Sequence, residues 1–391
     1  MRYWSDFNRV YYHPRSIQQV SDLPDWQANK GDWNYGRDIF RRFDLENSLS
    51  DGSLRRLLEE SNNFQGFQMT FDNLSFGGFS IGLLEAIRDE QPKIPVLTFP
   101  LLSGVDPYEV DQEDALVRKL VLQDAVCLCS LDELGTQNVS IPMPTSWQLG
   151  TWSEQLSFDR NNLYQSTAVI SAHIESSTLP LRLKSTHEDL SDFCNHLNWS
   201  QNTRFSHLSG VLPFRDGINL DEAMYDFSAG GKHANQYLVQ RNVSRGLTIG
   251  QARSINTYFA SSTSLEEPCL SSIHAPAYPL PSSFPNISLP RSTQSNNSNL
   301  PSSTNKRERN ISLISSLHTT TSTAAVLRGY AALCRACIVR RYSGTDVAGL
   351  ETDEVREMVE KLEAIAESYA AQKHEESEEG DDDLGEDGAV E

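Results

Sequence analysis

Phe64-Gln65-Gly66-Phe67-Gln68-Met69-Thr70-Phe71 is followed by Ser75-Phe76-Gly77-Gly78-Phe79-Ser80-Ile81-Gly82 and, after a polar break, by Val96-Leu97-Thr98-Phe99-Pro100-Leu101-Leu102. The first run alternates and is rich in aromatic residues, which predicts a strand. The glycines around Ser75–Gly78 predict a turn, and Ile81 to Glu90 has helical spacing. Val96 to Leu102 is a continuous apolar run of the buried, parallel-sheet type. Strand, glycine turn, helix and strand in that order make a βαβ unit. A helix from Gln112 to Leu122 and an apolar run from Ala125 to Leu131 repeat the alternation, and Leu163 to Ser176 reads as a further helix. The first half is therefore expected to be α/β with a mainly parallel sheet.

Outward from that unit the composition changes. The chain has 391 residues, 38% apolar, with a formal charge of −20. Such an acidic balance argues against a general phosphate-backbone binder, which needs clustered Lys and Arg. Residues 375–391 hold ten carboxylates and no Lys or Arg, half of the net charge. They read as a solvated acidic tail. In residues 261–310, Ser, Thr, Asn and Pro fill 29 of 50 positions. A stretch of that kind buries too little apolar surface to offset its ordering entropy, so a flexible insertion is expected. Val355, Val359, Leu362, Ile365 and Tyr369 form one apolar stripe, which predicts a C-terminal helix docked on the body. Six cysteines are too few for a disulfide framework, and no apolar run reaches membrane-span length. A soluble protein in a reducing compartment, with its Asn-x-Ser/Thr sites unused, is the expectation.

Chemistry-bearing motifs are sparse. Cys334-Arg-Ala-Cys337 has no second cysteine pair at zinc spacing and suits two small residues of a helix. Cys127-Leu-Cys129 reads as two core thiols on one face of a strand. Asp106-Pro107-Tyr108 follows a predicted strand, where α/β folds carry ligand loops, and also suits a simple turn. Asp189-Leu190-Ser191-Asp192 reads as a helix start with favourable carboxylates. The loop from Ser75 to Gly82 fits neither GxGxxG nor a Walker lysine loop. Its amides suit a phosphate at a helix end, and they suit a structural turn equally.

Several of these blocks, in order, resemble tubulins. Phe64 to Thr70 resembles the strand before the tubulin phosphate loop, and Leu84 to Pro92 the helix after it. Asp106-Pro107-Tyr108 resembles the Glu-Pro-Tyr of the ribose-side loop. Val169 to Arg182 resembles the guanine-facing helix, with Tyr164 near its aromatic and Thr167 near its amide position. Asp189 to Phe193 resembles the loop that reaches the next subunit's nucleotide, and Tyr237 to Gly246 a core strand of the second domain. Ser322-Thr323-Ala324, Tyr342-Ser343-Gly344, the last helix and the acidic tail resemble a tubulin C-terminus. The opening Tyr3-Trp4-Ser5-Asp6-Phe7-Asn8-Arg9-Val10-Tyr11-Tyr12-His13-Pro14-Arg15-Ser16 narrows the resemblance to the Misato family, whose fungal members are the Dml mitochondrial-inheritance proteins. Ser282-Ser283-Phe284-Pro285 and Leu317-His318-Thr319-Thr320 resemble that family too.

The resemblance implies a tubulin-like fold. Residues 1–183 form a Rossmann-type domain expected to lack its first strand and the nucleotide loop it carries. Residues 184–260 begin a smaller α+β domain, 261–310 form the insertion, 311–373 complete the domain and its C-terminal helices, and 374–391 are the tail. It also implies a factor for mitochondrial distribution and mitochondrial DNA inheritance on the cytosolic face of mitochondria or in the cytoplasm. Its partners would be proteins, cytoskeletal ones included, and not nucleic acid. The phosphate loop keeps only Gly77, Gly78 and Gly82 of the tubulin pattern, with Phe76, Phe79 and Ile81 between them. Bulky side chains crowd a backbone that has to approach phosphate closely. Gly77, Gly78, Gly82, Asp106 and Tyr164 are thus the candidate, vestigial nucleotide-site residues, and a non-enzyme without cofactor is expected. The alternatives are a GTP-binding, polymerising GTPase in which Asp189 or Asp192 orients water in trans, and a cytoskeletal or tubulin-folding partner.

Overall fold

Asp32 starts the described body of the chain by accepting the Tyr35 amide, which caps helix α1 (Trp33–Asn47). The structure is a computed structural model. It describes residues 16–20, 32–108, 114–230, 236–281, 283–287, 310–339 and 350–370. The segment Tyr3–Arg15, Ser282, residues 288–309 of the insertion, Tyr342-Ser343-Gly344 and the acidic tail lie outside the described residues.

After α1 come a π-helical turn, Leu49–Leu54, and α2 (Arg55–Glu60). Strand β1 (Phe67–Asp72) leads directly into α3 (Asn73–Glu90) and then β2 (Val96–Leu102). β1 and β2 are parallel, with Phe67 opposite Val96 and Asp72 opposite Leu101. Helix α4 (Ala115–Leu134) leads to β3 (Gln137–Asn138) and β4 (Ile141–Pro142), both parallel to β2. The alternation of β2 sends its side chains into two cores. Val96 and Leu102 join α3, α4 and the C-terminal helices, while Leu97 and Phe99 join the core shared with the second sheet.

The remaining elements are α5 (Leu163–Ser177), α6 (Leu190–Leu197), β5 (His207–Val211), α7 (Leu220–Ala223), β6 (Tyr225–Asp226), β7 (Tyr237–Arg245), α8 (Ile249–Thr263), β8 (Leu270–Ala275), β9 (Tyr278–Pro279), β10 (Asn310–Ile311), β11 (Leu313–Thr320), α9 (Thr323–Val339) and α10 (Thr352–Ala370). The second sheet has the order β6-β5-β11-β7-β8. Its β5, β11 and β7 are antiparallel, and β8 adds in parallel to β7. In α10 the stripe residues Val355, Val359, Leu362, Ile365 and Tyr369 are all buried, in one core with α4 and α9. Tyr369 also ties the helix to the segment just before β5, its hydroxyl accepting the Phe205 amide at 2.6 Å and donating to the Phe205 carbonyl at 3.0 Å.

Two expectations change here. The apolar run Ala125–Leu131 is not a strand but the second half of α4, so Cys127 and Cys129 lie on a helix. α4 is buried on nearly every side from Val121 to Cys129, which erases the polar face that marks a surface helix. The insertion also does not begin at residue 261. α8 runs to Thr263, β8 pairs with β7 from Leu270 to Ala275, and Tyr278–Pro279 pairs with Asn310–Ile311.

Candidate functional site

The segment that sequence places at a phosphate loop is helix. Asp72 ends β1 with extended backbone, and its Oδ1 accepts the Leu74 amide at 3.0 Å. That carboxylate caps the positive end of α3, the position an anion would otherwise take. Gly77, Gly78 and Gly82 are therefore inside α3 rather than in a turn, with their amides in the helical ladder, and all three are buried.

Their lack of side chains serves α1. A Cβ on Gly78 would lie 2.2 Å from the Trp33 carbonyl oxygen and 3.0 Å from the Arg37 nitrogen. A Cβ on Gly82 would lie 2.8 Å from the Phe40 ring, and one on Gly77 would lie 2.3 Å from Asn73 Oδ1 and 3.0 Å from the Trp33 ring. The closeness is reciprocal: a Cβ on Gly36 of α1 would lie 3.1 Å from Gly78 Cα. Phe79 packs edge-on against Phe40 and Phe43, with ring centroids 5.4 and 5.9 Å apart. Arg37 clasps both oxygens of Glu85 at 2.7 and 2.8 Å across the same contact.

Beneath the start of α3 lies a polar cluster that no sequence motif announces. Asn73 Nδ2 donates to Asp124 Oδ1 at 2.7 Å, the Ser103 hydroxyl donates to Oδ2 at 2.5 Å, and the Ser103 amide reaches both oxygens at 3.0–3.1 Å. Asp124 is fully buried, and that burial raises its carboxyl to about 6 against the opposing pull of these hydrogen bonds. The cluster joins the end of β2, α3 and α4. Its only mark in the sequence is one carboxylate inside an apolar run.

The other candidates turn to different neighbours. Asp106 Oδ1 accepts the Tyr108 amide at 2.9 Å in a local turn. Tyr108 donates its hydroxyl to the Ala325 carbonyl at 2.7 Å, and its ring lies against Gly329, so this loop straps α9. Tyr164 sits in the first turn of α5 and donates its hydroxyl to the Ser283 carbonyl. Thr167 donates to the Leu163 carbonyl of its own helix. Asp189 caps α6 by accepting the Asp192 amide at 2.8 Å, and both carboxylates face solvent. Gly77, Gly78 and Gly82 thus share the contact with α1, while Asp106 belongs to the α9 strap and Tyr164 to the segment around Ser283.

A tubulin domain model matches residues 1–183. The chain is similar to Protein dml1 of Aspergillus oryzae, 32% identical over 194 residues, covering 48% of this chain and 37% of that protein. It is 29% identical over 270 residues to Protein dml1 of Aspergillus niger, covering 65% of this chain and 52% of that protein. It is 24% identical over 267 residues to Protein misato of Drosophila melanogaster, covering 62% and 46%. The matches span a third to a half of these relatives' lengths. The α/β architecture with its parallel sheet and C-terminal helices agrees with the domain match. The chain is thus a tubulin-like protein related to the Dml and Misato proteins.

Proposed function

We propose that this chain is a non-enzymatic tubulin-like factor for mitochondrial distribution and mitochondrial DNA inheritance, acting through protein contacts at the cytosolic face of mitochondria. The observation that carries the non-enzymatic part is the α1–α3 contact. The residues that would cradle phosphate hold another backbone instead, and Asp72 caps the helix end with a negative charge. A phosphate brought there meets a carboxylate and a closed helical turn. The mitochondrial part is supported by the likeness to Dml and Misato proteins and by the hallmark opening segment.

Each part has its own test. The purified chain should show no change in melting temperature at millimolar GTP with magnesium. A ligand at a hundredfold excess over its Kd would stabilise by about 2.7 kcal/mol. A clear rise that Gly78→Leu abolishes would overturn the non-enzymatic reading in favour of a GTPase. In cells depleted of the protein, mitochondria should cluster abnormally and mitochondrial DNA per cell should fall, and re-expression should restore both. Unchanged distribution and DNA content would defeat the mitochondrial reading.

A further inference from the structure

Strand register in the second sheet brings two imidazoles and a carboxylate to one point. His207 opens β5 and stands directly opposite His318 of β11. Asp226 of β6 stands opposite Ser209, two residues along β5 from His207 and so on the same face. The His207 and His318 rings are 5.5 Å apart. Asp226 Oδ2 lies 2.9 Å from His207 Nδ1 and 3.4 Å from His318 Nε2, and the three side chains are at most 5% exposed. The other carboxylate oxygen accepts the Ser228 and Ala229 amides, each at 2.9 Å, which fixes the group with Oδ2 turned to the histidines. All three donor atoms lie within 4.8 Å of one another.

The geometry points to a buried divalent transition-metal site, for zinc, with His207 Nδ1, His318 Nε2 and Asp226 Oδ2 as ligands and a water in the remaining position. Around a tetrahedral ion with bonds of about 2.0–2.1 Å, neighbouring ligand atoms sit about 3.3 Å apart. The two distances to Oδ2 bracket that value. The far ring nitrogens also have the partners that ligating histidines need. His207 Nε2 is 3.1 Å from Thr323 Oγ1, and His318 Nδ1 is 3.5 Å from Ser209 Oγ. A ligating imidazole is neutral and carries its proton on the far nitrogen, so each donates to a hydroxyl oxygen that fixes its ring. Two nitrogens and one oxygen suit zinc and its neighbours, whereas calcium and magnesium take oxygen ligands. Charge argues the same way. Among the described residues the ion-pair partners of Asp226 are these two histidines, and a divalent ion would offset its buried carboxylate. All three ligands stand on strands of one sheet, which holds their spacing without loop rearrangement. The bound ion would staple β6, β5 and β11 together behind the start of α9. This site is separate from the α1–α3 contact, and its fate is independent of the nucleotide question.

The rival is a plain hydrogen-bonded triad in which His207 Nδ1–H donates to Asp226. The test is metal content of the full chain, purified from zinc-supplemented cells and passed through gel filtration. Near-stoichiometric zinc is expected, with a melting temperature that falls on chelation and returns when zinc alone is added. His318→Gln should bring zinc to background, while His173→Gln, a buried histidine outside the triad, should keep it. Should His318→Gln fail to fold, cobalt added to the chelated parent decides. Intense visible d–d bands of a low-coordinate cobalt site support the proposal, and the weak spectrum of aqueous cobalt overturns it. Background zinc in the parent, with a melting temperature indifferent to zinc and chelator, would leave the rival standing.

Discussion

The central strand of the parallel sheet, β2, and that of the five-stranded sheet, β11, are both almost wholly buried, but with different chemistry. In β2 the buried side chains are mainly Val96, Leu97, Phe99 and Leu102. In β11 all eight residues are buried, and five of them are Ser315, Ser316, His318, Thr319 and Thr320. Hydrogen bonds to the sheet and to neighbouring segments hold these groups. Gln240 Nε2 donates to Ser316 Oγ at 3.1 Å, Ser206 and Thr319 share a hydroxyl contact at 2.8 Å, and Thr319 donates to the Leu197 carbonyl at 2.8 Å. Burial alone therefore does not make an apolar core. The first region is held by area removed from water, the second also by hydrogen bonds among buried polar side chains, although Gln240 Oε1 and both amide atoms of Asn242 have no partner among the described residues.

The sharpest way to break this contrast is to charge the apolar region. Leu362 is fully buried in the core formed by α4, α9 and α10. Leu362→Asp places an unpaired carboxylate there, and we expect a loss of about 4 kcal/mol or more in urea unfolding. An unchanged midpoint would mean that α10 is not docked and that the first region does not depend on it.

A smaller effect sharpens the contrast through pH. His173 lies under the second sheet, its Nδ1 2.8 Å from Ser315 Oγ, and burial pushes its imidazole down to about 3. Its folded value is depressed, so its contribution is complete above the unfolded value near 6.5 and is lost as pH falls toward 3. Asp124 beside the first sheet is raised to about 6, so its contribution is present below the unfolded value of 3.8 and is lost as pH rises through 6. From pH 7 to pH 5 the parent should lose about 2 kcal/mol relative to His173→Gln and gain about 1 kcal/mol relative to Asp124→Asn. Urea midpoints of the three proteins at both pH values check this. Shifts of the same sign would erase the distinction between the two regions.

The contrast also explains what could be read from the sequence. The apolar run of β2 and the stripe of α10 announce themselves, because periodicity reports one buried face or two. α4 hides its type because it is buried on nearly every side, and seven residues of it read as a strand. The glycines at 77, 78 and 82 read as a turn because glycine weakens an isolated helix. Their use is set by Trp33, Gly36 and Phe40, some forty residues away, which no local pattern encodes. β8 disappears into a Ser- and Pro-rich stretch because an edge strand of a polar sheet has the composition of a flexible segment. His207, Asp226 and His318 were beyond reach for a related reason. Only the register of three strands puts them together, although the stretch Leu317-His318-Thr319-Thr320 already stood out by resemblance.

The contact between α1 and α3 sets a population problem for any phosphate ligand. To offer free amides, the first turns of α3 have to unwind and α1 has to withdraw from Gly78. Only molecules in that open state can bind, and apparent affinity falls in proportion to their fraction. If opening costs about 3 kcal/mol, fewer than about one molecule in a hundred is competent and binding weakens roughly 150-fold. A nucleotide that bound an open form at micromolar concentration would then need hundreds of micromolar to be held here, on the same scale of estimate. The backbone packing of two helices would by itself move such a site from saturated to mostly empty.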